Sequence, residues 1–432
     1  MRYATRCCLA LALSGCAYTT VEPSITDAAQ DGASESGAPE DASDDDAPRA
    51  CATECPWECV DGTCMAARQI AVGNFHACAL STARSVHCWG RTLGPAMDGD
   101  VSLVPRRVPG LRASHITAGD YHTCVTDGGG NGTVTCWGDN TYGQIGDGTT
   151  MARSSPTIVF YGDLFEVVAG NETNWVRTVT GSFAWGANDE GQLGDGSTTS
   201  RLSPYQRAYV SGVAAGGHHA CANGAGVVQC WGRANWGQLG DGQATHETCT
   251  DDVSGPIDCA TEPVNSMFPI GSLFAGSEVT CAIDDDRHAW CAGWNSAGQL
   301  ADGVDHGLCG LDDCSRTPVR VPDLDDVTDI AFGDGTTCFL SAGHVLCAGM
   351  PFDDLPHDTC PPSLRTPAAH CVRAPTGVPG ITDAVSIAAH GAAFFAIRRD
   401  GGVLAWGRNP MGVLGDGTTT DRPTPVAVHV AD

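Results

Sequence analysis

Trp137-Gly138-Asp139-Asn140-Thr141-Tyr142-Gly143-Gln144-Ile145-Gly146-Asp147-Gly148-Thr149 decides the fold, because it recurs. Trp185-Gly186 leads to Gly191-Gln192-Leu193-Gly194-Asp195-Gly196, Trp231-Gly232 to Gly237-Gln238-Leu239-Gly240-Asp241-Gly242, and Trp406-Gly407 to Gly412-Val413-Leu414-Gly415-Asp416-Gly417. Weaker copies start at Trp89-Gly90 and Ala292-Gly293, and a decayed one at Ala348-Gly349. The Gly of each pair stands at 90, 138, 186, 232, 293, 349 and 407, which makes seven units. A period of this size sets the architecture before any local reading does.

Each unit has an upstream signature, as in Ala71-Val72-Gly73-Asn74-Phe75-His76-Ala77-Cys78-Ala79-Leu80 and Thr117-Ala118-Gly119-Asp120-Tyr121-His122-Thr123-Cys124-Val125. In the last unit it starts near Ala388-Ala389. Ala-Cys-Ala-Leu, a polar turn and Val-His-Cys-Trp read as a hairpin. Gly-Asp-Gly supplies turn residues, and a Pro-x-x-Val segment such as Pro156-Thr157-Ile158-Val159 follows. About four short strands repeated seven times predict an all-β, seven-bladed propeller over 67–430.

The alternation of Ala-Gly-x-x-His with Trp-Gly-x-Asn-x-x-Gly-Gln-Leu-Gly-Asp-Gly resembles the regulator-of-chromosome-condensation repeat. That resemblance covers about 85% of the chain and implies a seven-bladed ring whose last strand, at Pro425-Val426-Ala427-Val428, completes the first blade. Repeat six, with only Gly349 retained, and repeat five, with Ala301 in a Gly position, are expected to be irregular.

Cysteines provide an internal test. Cys78 with Cys88, Cys124 with Cys136, Cys221 with Cys230, Cys281 with Cys291, and Cys338 with Cys347 occupy matched places in five repeats. Repeat three has Trp175 and Ala184 there, and repeat seven is aligned with Phe394 and Ala405. Both partners are present or both absent, so each pair is read as a disulfide across a hairpin. Cys249 with Cys259, Cys309 with Cys314, and Cys360 with Cys371 pair locally in insertions after Gly-Asp-Gly. Cys51, Cys55, Cys59 and Cys64 form a small segment over 51–66, read as two disulfides of open connectivity rather than a zinc site.

The first fifteen residues read as a leader: Arg2 and Arg6, a short apolar run, then Leu13-Ser14-Gly15-Cys16. This resembles the lipobox of bacterial lipoprotein signal peptides, which implies cleavage before Cys16 and its lipidation. Ala17 after it implies the outer membrane of the cell envelope. Residues 16–50 read as a disordered tether with nine acidic residues against Arg49. The chain has a net charge of −28 and 23 basic residues, all arginine. Lysine chemistry is excluded, and the charge disfavours nucleic acid and anionic surfaces as partners.

No catalytic motif is found: H-E-x-x-H, G-x-S-x-G and a dinucleotide fingerprint are absent from the sequence. His76, His122 and His219 share one repeat position, filled by Thr173, Val279, Thr336 and Ala392 elsewhere, and are read as structural. Asp147, Asp195, Asp241 and Asp416 are read as turn residues rather than calcium ligands. No cofactor or metal is expected. The candidate binding patch lies in the insertions of blades four to six: Asp251, Asp252, Asp258, Glu262, Asp305, His306, Asp312, Asp313, Asp353, Asp354, His357 and His370. The resulting expectation is a monomeric, membrane-anchored, non-catalytic module that binds a protein or glycan outside the cytoplasm. The alternatives are a carboxylate-dependent lyase or hydrolase, or an inhibitor of an extracellular enzyme.

Overall fold

The computed structural model describes residue 51, residues 55–60, 62–91, 101–207, 210–224, 226–251, 255–310, 312–350, 358–359 and 370–428, and residue 430, with only the backbone at 129–131, 251, 358–359 and 370. Seven sheets' worth of antiparallel strands follow one another in sequence, four to a blade. Blade 1 runs from Ala67–Val72 to Val101–Arg112, and blade 7 from Ala384–His390 to Arg422–Val428. Blades 2 and 3 share one long strand, Arg153–Ala169, which is the outer strand of the former and the inner strand of the latter. Blade 6 is complete despite its decayed motif, with strands Val327–Gly333, Thr336–Ser341, His344–Gly349 and His370–Gly377. Blades 4, 5 and 6 each add a fifth strand, Glu247–Asp251, Leu308–Cys309 and Asp358–Thr359, paired to the outer strand. The insertions therefore fold back as hairpins on their own blades.

The Gly after each Trp has one cause in all seven blades. It takes a positive φ, for example 115° at Gly138 and 114° at Gly349. A Cβ there would lie 2.1–2.5 Å from the carbonyl oxygen of the residue just before the second strand, Tyr121 for Gly138 and Gly335 for Gly349. No L side chain fits this combination. The prolines of the outer strands also have one cause. In blade 1 the outer strand advances four residues, Ser102 to Arg106, while the third strand advances two, Gly90 to Cys88. Pro105 sits in that bulge, and Pro156, Pro204, Pro263, Pro318, Pro375 and Pro425 sit in the corresponding ones. A bulge on an edge strand tolerates a residue that lacks an N–H, and Pro discourages pairing with a foreign strand.

Disulfides join Cys78–Cys88, Cys124–Cys136, Cys221–Cys230, Cys281–Cys291 and Cys338–Cys347, residues that face one another directly in the ladder. Cys249–Cys259 and Cys309–Cys314 staple two insertion hairpins, and Cys51–Cys59 and Cys55–Cys64 close the N-terminal segment. Cys371 is disulfide-bonded as well; Cys360 lies outside the described residues, as do Cys16 and the leader and tether. Blade 3 fills the cystine position with Trp175 opposite Ala184. In blade 7 the aligned residue is corrected by one: Phe395, not Phe394, faces Ala405. The turn before this strand has the usual two residues, but His390 rather than Ala389 stands where the other blades have the inner-strand Gly, so Ala393 rather than Ala392 stands at the histidine position.

The seam also differs from the expectation. Arg422–Val428 pairs with Val403–Gly407 of its own blade, so the last strand does not complete blade 1. The ring closes by packing. Trp57 of the N-terminal segment is buried in one core with Ile70, Trp89, Phe395 and Val403 of blades 1 and 7. Glu58 accepts from the Ser85 hydroxyl and pairs with His87 at 3.1 Å, and the Ala67 N–H donates to the Gly401 carbonyl at 2.9 Å. The cystine knot is thus a wedge over the blade 7–blade 1 seam, and burial of its indole supplies the stabilisation a shared strand would give.

Neighbouring blades are locked by the Gly-Gln-Leu-Gly turn. The Trp185 indole N–H donates to the Gln144 carbonyl at 3.0 Å, Trp231 to Gln192 at 2.9 Å, and, across the seam, Trp89 to Val413 at 2.6 Å. The second Gly of the turn lies flat on that indole: a Cβ on Gly146 would be 2.6 Å from Trp185 Nε1, and one on Gly415 equally close to Trp89. Ala301 takes the same place, with φ 61°, where the facing residue in blade 6 is Ala348. The missing indole makes room for the methyl group. Gly146→Ala is therefore expected to destabilise the protein by about 2–4 kcal/mol, from positive-φ strain plus overpacking, while Ala301→Gly changes stability by no more than about 1 kcal/mol. Denaturant unfolding of both variants checks this contrast.

Candidate binding face

In each blade the turn from the first to the second strand and the turn from the third to the outer strand lie at the same end. This end carries the Gly-Asp-Gly elements and the three insertions; the N-terminal knot docks at the other. Within the opening stretch, Asn140 donates to Asp147 at 3.2 Å and to the Thr149 carbonyl at 2.9 Å, and accepts the Ile145 N–H at 2.9 Å. Asp147 also pairs with Arg153 at the head of the outer strand. The same clasp joins Asp195 to Arg201 and Asp416 to Arg422, each at 2.6 Å. These carboxylates are turn anchors with their acceptor capacity in use.

In blades 4 and 5 the insertions supply the cation instead. His246 bridges Asp241 at 2.8 Å and Asp258 at 3.0 Å, and His306 pairs with Asp302 at 2.6 Å. The two carboxylates hold His246 up at about 9 against the opposing effect of burial, and Asp302 likewise raises His306. The blade 4 hairpin is thus pinned by a histidine protonated at neutral pH, and the blade 5 hairpin by a histidine whose pairing with Asp302 favours the charged form.

The carboxylates expected to form a patch divide accordingly. Asp258 serves the His246 bridge. Asp313 accepts the His306 and Gly307 N–H groups and the Asn295 amide, and Asp312 is buried against Ser296. Asp305 reaches across to Arg373 of blade 6 at 2.9 Å, and Glu262 is exposed on the blade 4 outer strand. Asp251 and His370 are described by backbone only, and Asp252, Asp353, Asp354 and His357 lie outside the described residues. The structure places Asp258, Asp305, His306, Asp312 and Asp313 in the hairpins' own frameworks. Under them, Trp236, Trp294, Cys309 and Cys314 form a small core that seats the blade 5 hairpin against blade 4.

Sequence reasoning missed the channel mouth. The inner strands enclose a cavity of about 280 Å³, walled by residues such as Ile70, Phe274, Ile330 and Ile387. Backbone bonds run around its loop end from blade to blade: the Asn74 N–H to Asp120 O, Asp120 to Asn171 O, and Asn171 to Gly216 O. Where six blades have Gly at the top of the inner strand, blade 7 has His390, which reaches Asp120 of blade 2 at 2.7 Å. Burial pushes the Asp120 carboxyl up, but the His390 bond and charge hold it below the usual range, and His390 is raised in turn. Beside them, Glu190 of blade 3 holds Arg233 and, at 3.2 Å, His218 of blade 4. Burial, reinforced by Asp120, Asp189 and Asp139 and opposed by His218, lifts Glu172 to about 7.

His76, His122 and His219 are inter-blade staples. Their Nε2 atoms meet Thr123 at 2.9 Å, Asn174 at 2.9 Å and Thr280 at 2.7 Å, always in the next blade. Burial pulls them to about 3, 4 and 3, so they are neutral at physiological pH. Among the described residues the one group of metal-type side chains is Cys51, Cys55 and Cys64, whose sulfurs are in disulfides.

The family model for the regulator of chromosome condensation (RCC1) repeat matches residues 182–222, and a second form of it matches 67–92 and 113–144. The E3 ubiquitin-protein ligase HERC2 of Homo sapiens is 36% identical over 99 residues, 21% of this chain and 2% of that protein. The ultraviolet-B receptor UVR8 of Arabidopsis thaliana is 28% identical over 275 residues, 62% of this chain and 49% of that protein. The chain thus spans at most about half the length of these relatives. Prp20p of Saccharomyces cerevisiae superposes with a TM-score of 0.63 at 20% identity, covering 84% of this chain and 87% of that one, and human WBSCR16 with 0.59, covering 78% and 88%. The fold is an RCC1-type repeat propeller.

The His246 bridge has a defined pH dependence. Its folded value, about 9, exceeds the ordinary 6.5. The stabilisation it gives is fully present below pH 6.5 and is lost as pH rises through about 9. NMR titration of His246 is expected to give a midpoint near 9, with faster amide exchange in 247–259 above it; a midpoint near 6.5 contradicts the bridge.

Proposed function

We propose that this chain is a membrane-anchored, extracytoplasmic propeller that binds a protein or glycan through its loop face and performs no catalysis. One observation carries the reading: three consecutive blades add insertion strands to their outer strands at one end of the ring. Two of these insertions are fixed by a disulfide and a histidine–carboxylate pair. Such loops are ordered before a partner arrives, which lowers the entropic cost of binding. The number of disulfides suits an oxidising compartment. Cys16 as the lipid site and 17–50 as the tether fit attachment to the cell envelope, at the outer membrane. The chain enters the propeller at the knot, which leaves the opposite, loop-bearing end free for a partner.

A carboxylate-dependent hydrolase or lyase is the second reading. Glu172, held near 7 beside ionised carboxylates, is the group that favours it. Turnover of a polysaccharide abolished by Glu172→Gln would establish it.

Proximity labelling on intact cells tests the first reading, using the full chain and a variant whose 247–257 hairpin is cut to a short turn. Loss of one specific neighbour is expected. An unchanged neighbour set overturns the loop-face assignment. Cys16→Ser is expected to release the protein from membranes, and full retention contradicts the anchor.

A further inference from the structure

The charge of this chain is unevenly distributed. Blade 1, residues 67–112, contains six of the 23 arginines and only two acidic residues, Asp98 and Asp100, within a chain of net charge −28. Elsewhere most arginines among the described residues find carboxylates, as Arg153 has Asp147, Arg177 has Glu166, Arg233 has Glu190 and Arg398 has Asp383, while Arg207, Arg316, Arg399 and Arg408 are scattered exceptions. In blade 1, Arg68, Arg84, Arg106, Arg107 and Arg112 have no carboxylate at ion-pair distance among the described residues.

Three of them, Arg68, Arg84 and Arg112, lie together. Arg68 donates to the Ser114 carbonyl at 3.0 Å, Arg84 to Ala113 at 3.3 Å and to Asp127, and Arg112 to Ala83 at 2.9 Å. Three guanidiniums thus converge on the turns at the knot end of blade 1, each held by a backbone carbonyl. Arg107 and Arg112 share the outer strand with Arg106, opposite His87, Ser85 and Cys88, and Arg106 and Arg107, as ladder neighbours, project from opposite faces of that strand and widen the basic edge. Arg68, Arg106, Arg107 and Arg112 are exposed. The nearby acids are engaged: Glu58 with Ser85 and His87, and the Asp127 carboxylate with the Thr133 N–H at 2.6 Å.

We infer that this arginine face of blade 1 binds an anionic glycan, a polymer carrying carboxylate or phosphate groups along its length. Guanidinium forks match such oxyanions in pairs, and several fixed along one blade suit a repeating charge. The surroundings favour a hydrated polymer. The one large apolar side chain that the described part of blade 1 exposes is Val101, at the far end of the outer strand. A protein partner needs aromatic or apolar anchors at its centre, and a bilayer needs side chains that enter the interface. The inference names a partner class for the glycan arm of the function proposed above and rests on that reading, but at a surface separate from the loop face.

The test uses the full chain carrying Cys16→Ser, on polygalacturonate resin, on neutral dextran resin, and with phosphatidylglycerol vesicles. Retention on polygalacturonate at low salt and release as salt rises are expected, with none on dextran. Arg68→Gln with Arg112→Gln, which remove the charge and keep a donor for the Ser114 and Ala83 carbonyls, should weaken retention at least 10-fold. Arg287→Ser with Arg320→Ser, exposed arginines of blade 5 paired with Asp326 and Asp325, should leave it unchanged. The variant with the shortened 247–257 hairpin should still bind, so this result and the loop-face result are read separately. No retention on polygalacturonate, equal loss in both double variants, or capture by vesicles alone overturns the inference.

Discussion

A carbonyl oxygen pressed against a glycine holds each blade in shape. Where the third strand passes the turn that opens the second, the Gly after the Trp position lies so near the facing carbonyl that a methyl group would sit at 2.1–2.5 Å. The strand must bend there with positive φ, and the outer strand then needs a bulge to stay in register. This is why the Pro three residues past the Gly partner recurs in every blade. Trp, Gln-Leu-Gly and Asp are each lost in at least one repeat, while this Gly and this Pro survive in all seven. The decayed blade 6 forms a full four-stranded sheet for that reason.

Contacts between blades follow a second rule, of paired occupancy across the interface. The turn glycines Gly146, Gly194 and Gly415 lie against a Trp of the next blade, Gly240 lies against Phe268, and Ala301 packs with Ala348 where the Trp is missing. A staple His is found where the next blade presents Thr or Asn. Thr337 faces Val279 instead and leaves its hydroxyl buried without a partner.

The fold was legible because its signals are local and repeated: hairpin cystines nine to twelve residues apart, turn glycines, and a count of seven. Three features were not. The seam wedge rests on a single Trp57 with no repeat to compare. The blade 7 register turned on His390, which replaces the landmark Gly of the other inner strands. The His76–Thr123 and Trp185–Gln144 contacts join residues more than forty apart, and each half reads alone as ordinary core. The site was legible only in part. The insertions were recognisable from their length and cysteines, but the mouth residues Asp120, Glu172, His218 and His390 stand at turns or a strand end whose convergence only the closed ring creates. Asp312 read as a patch acid in sequence and is buried in the fold, and Asp313 is half-buried.

The two ends of the propeller differ in chemistry as well as shape. One gathers carboxylates, charged histidines and stapled hairpins around a channel, and the other gathers blade 1 arginines beside the knot. The glycine constraint makes both arrangements rigid, so the account stands on it. Gly349→Ala in blade 6 tests it most directly, since this Gly is what remains of the motif there. Equilibrium unfolding is predicted to show a loss of about 3 kcal/mol or more, with amide exchange rising across 327–349. Unchanged stability would contradict the claim that this contact, rather than the rest of the motif, shapes the blade.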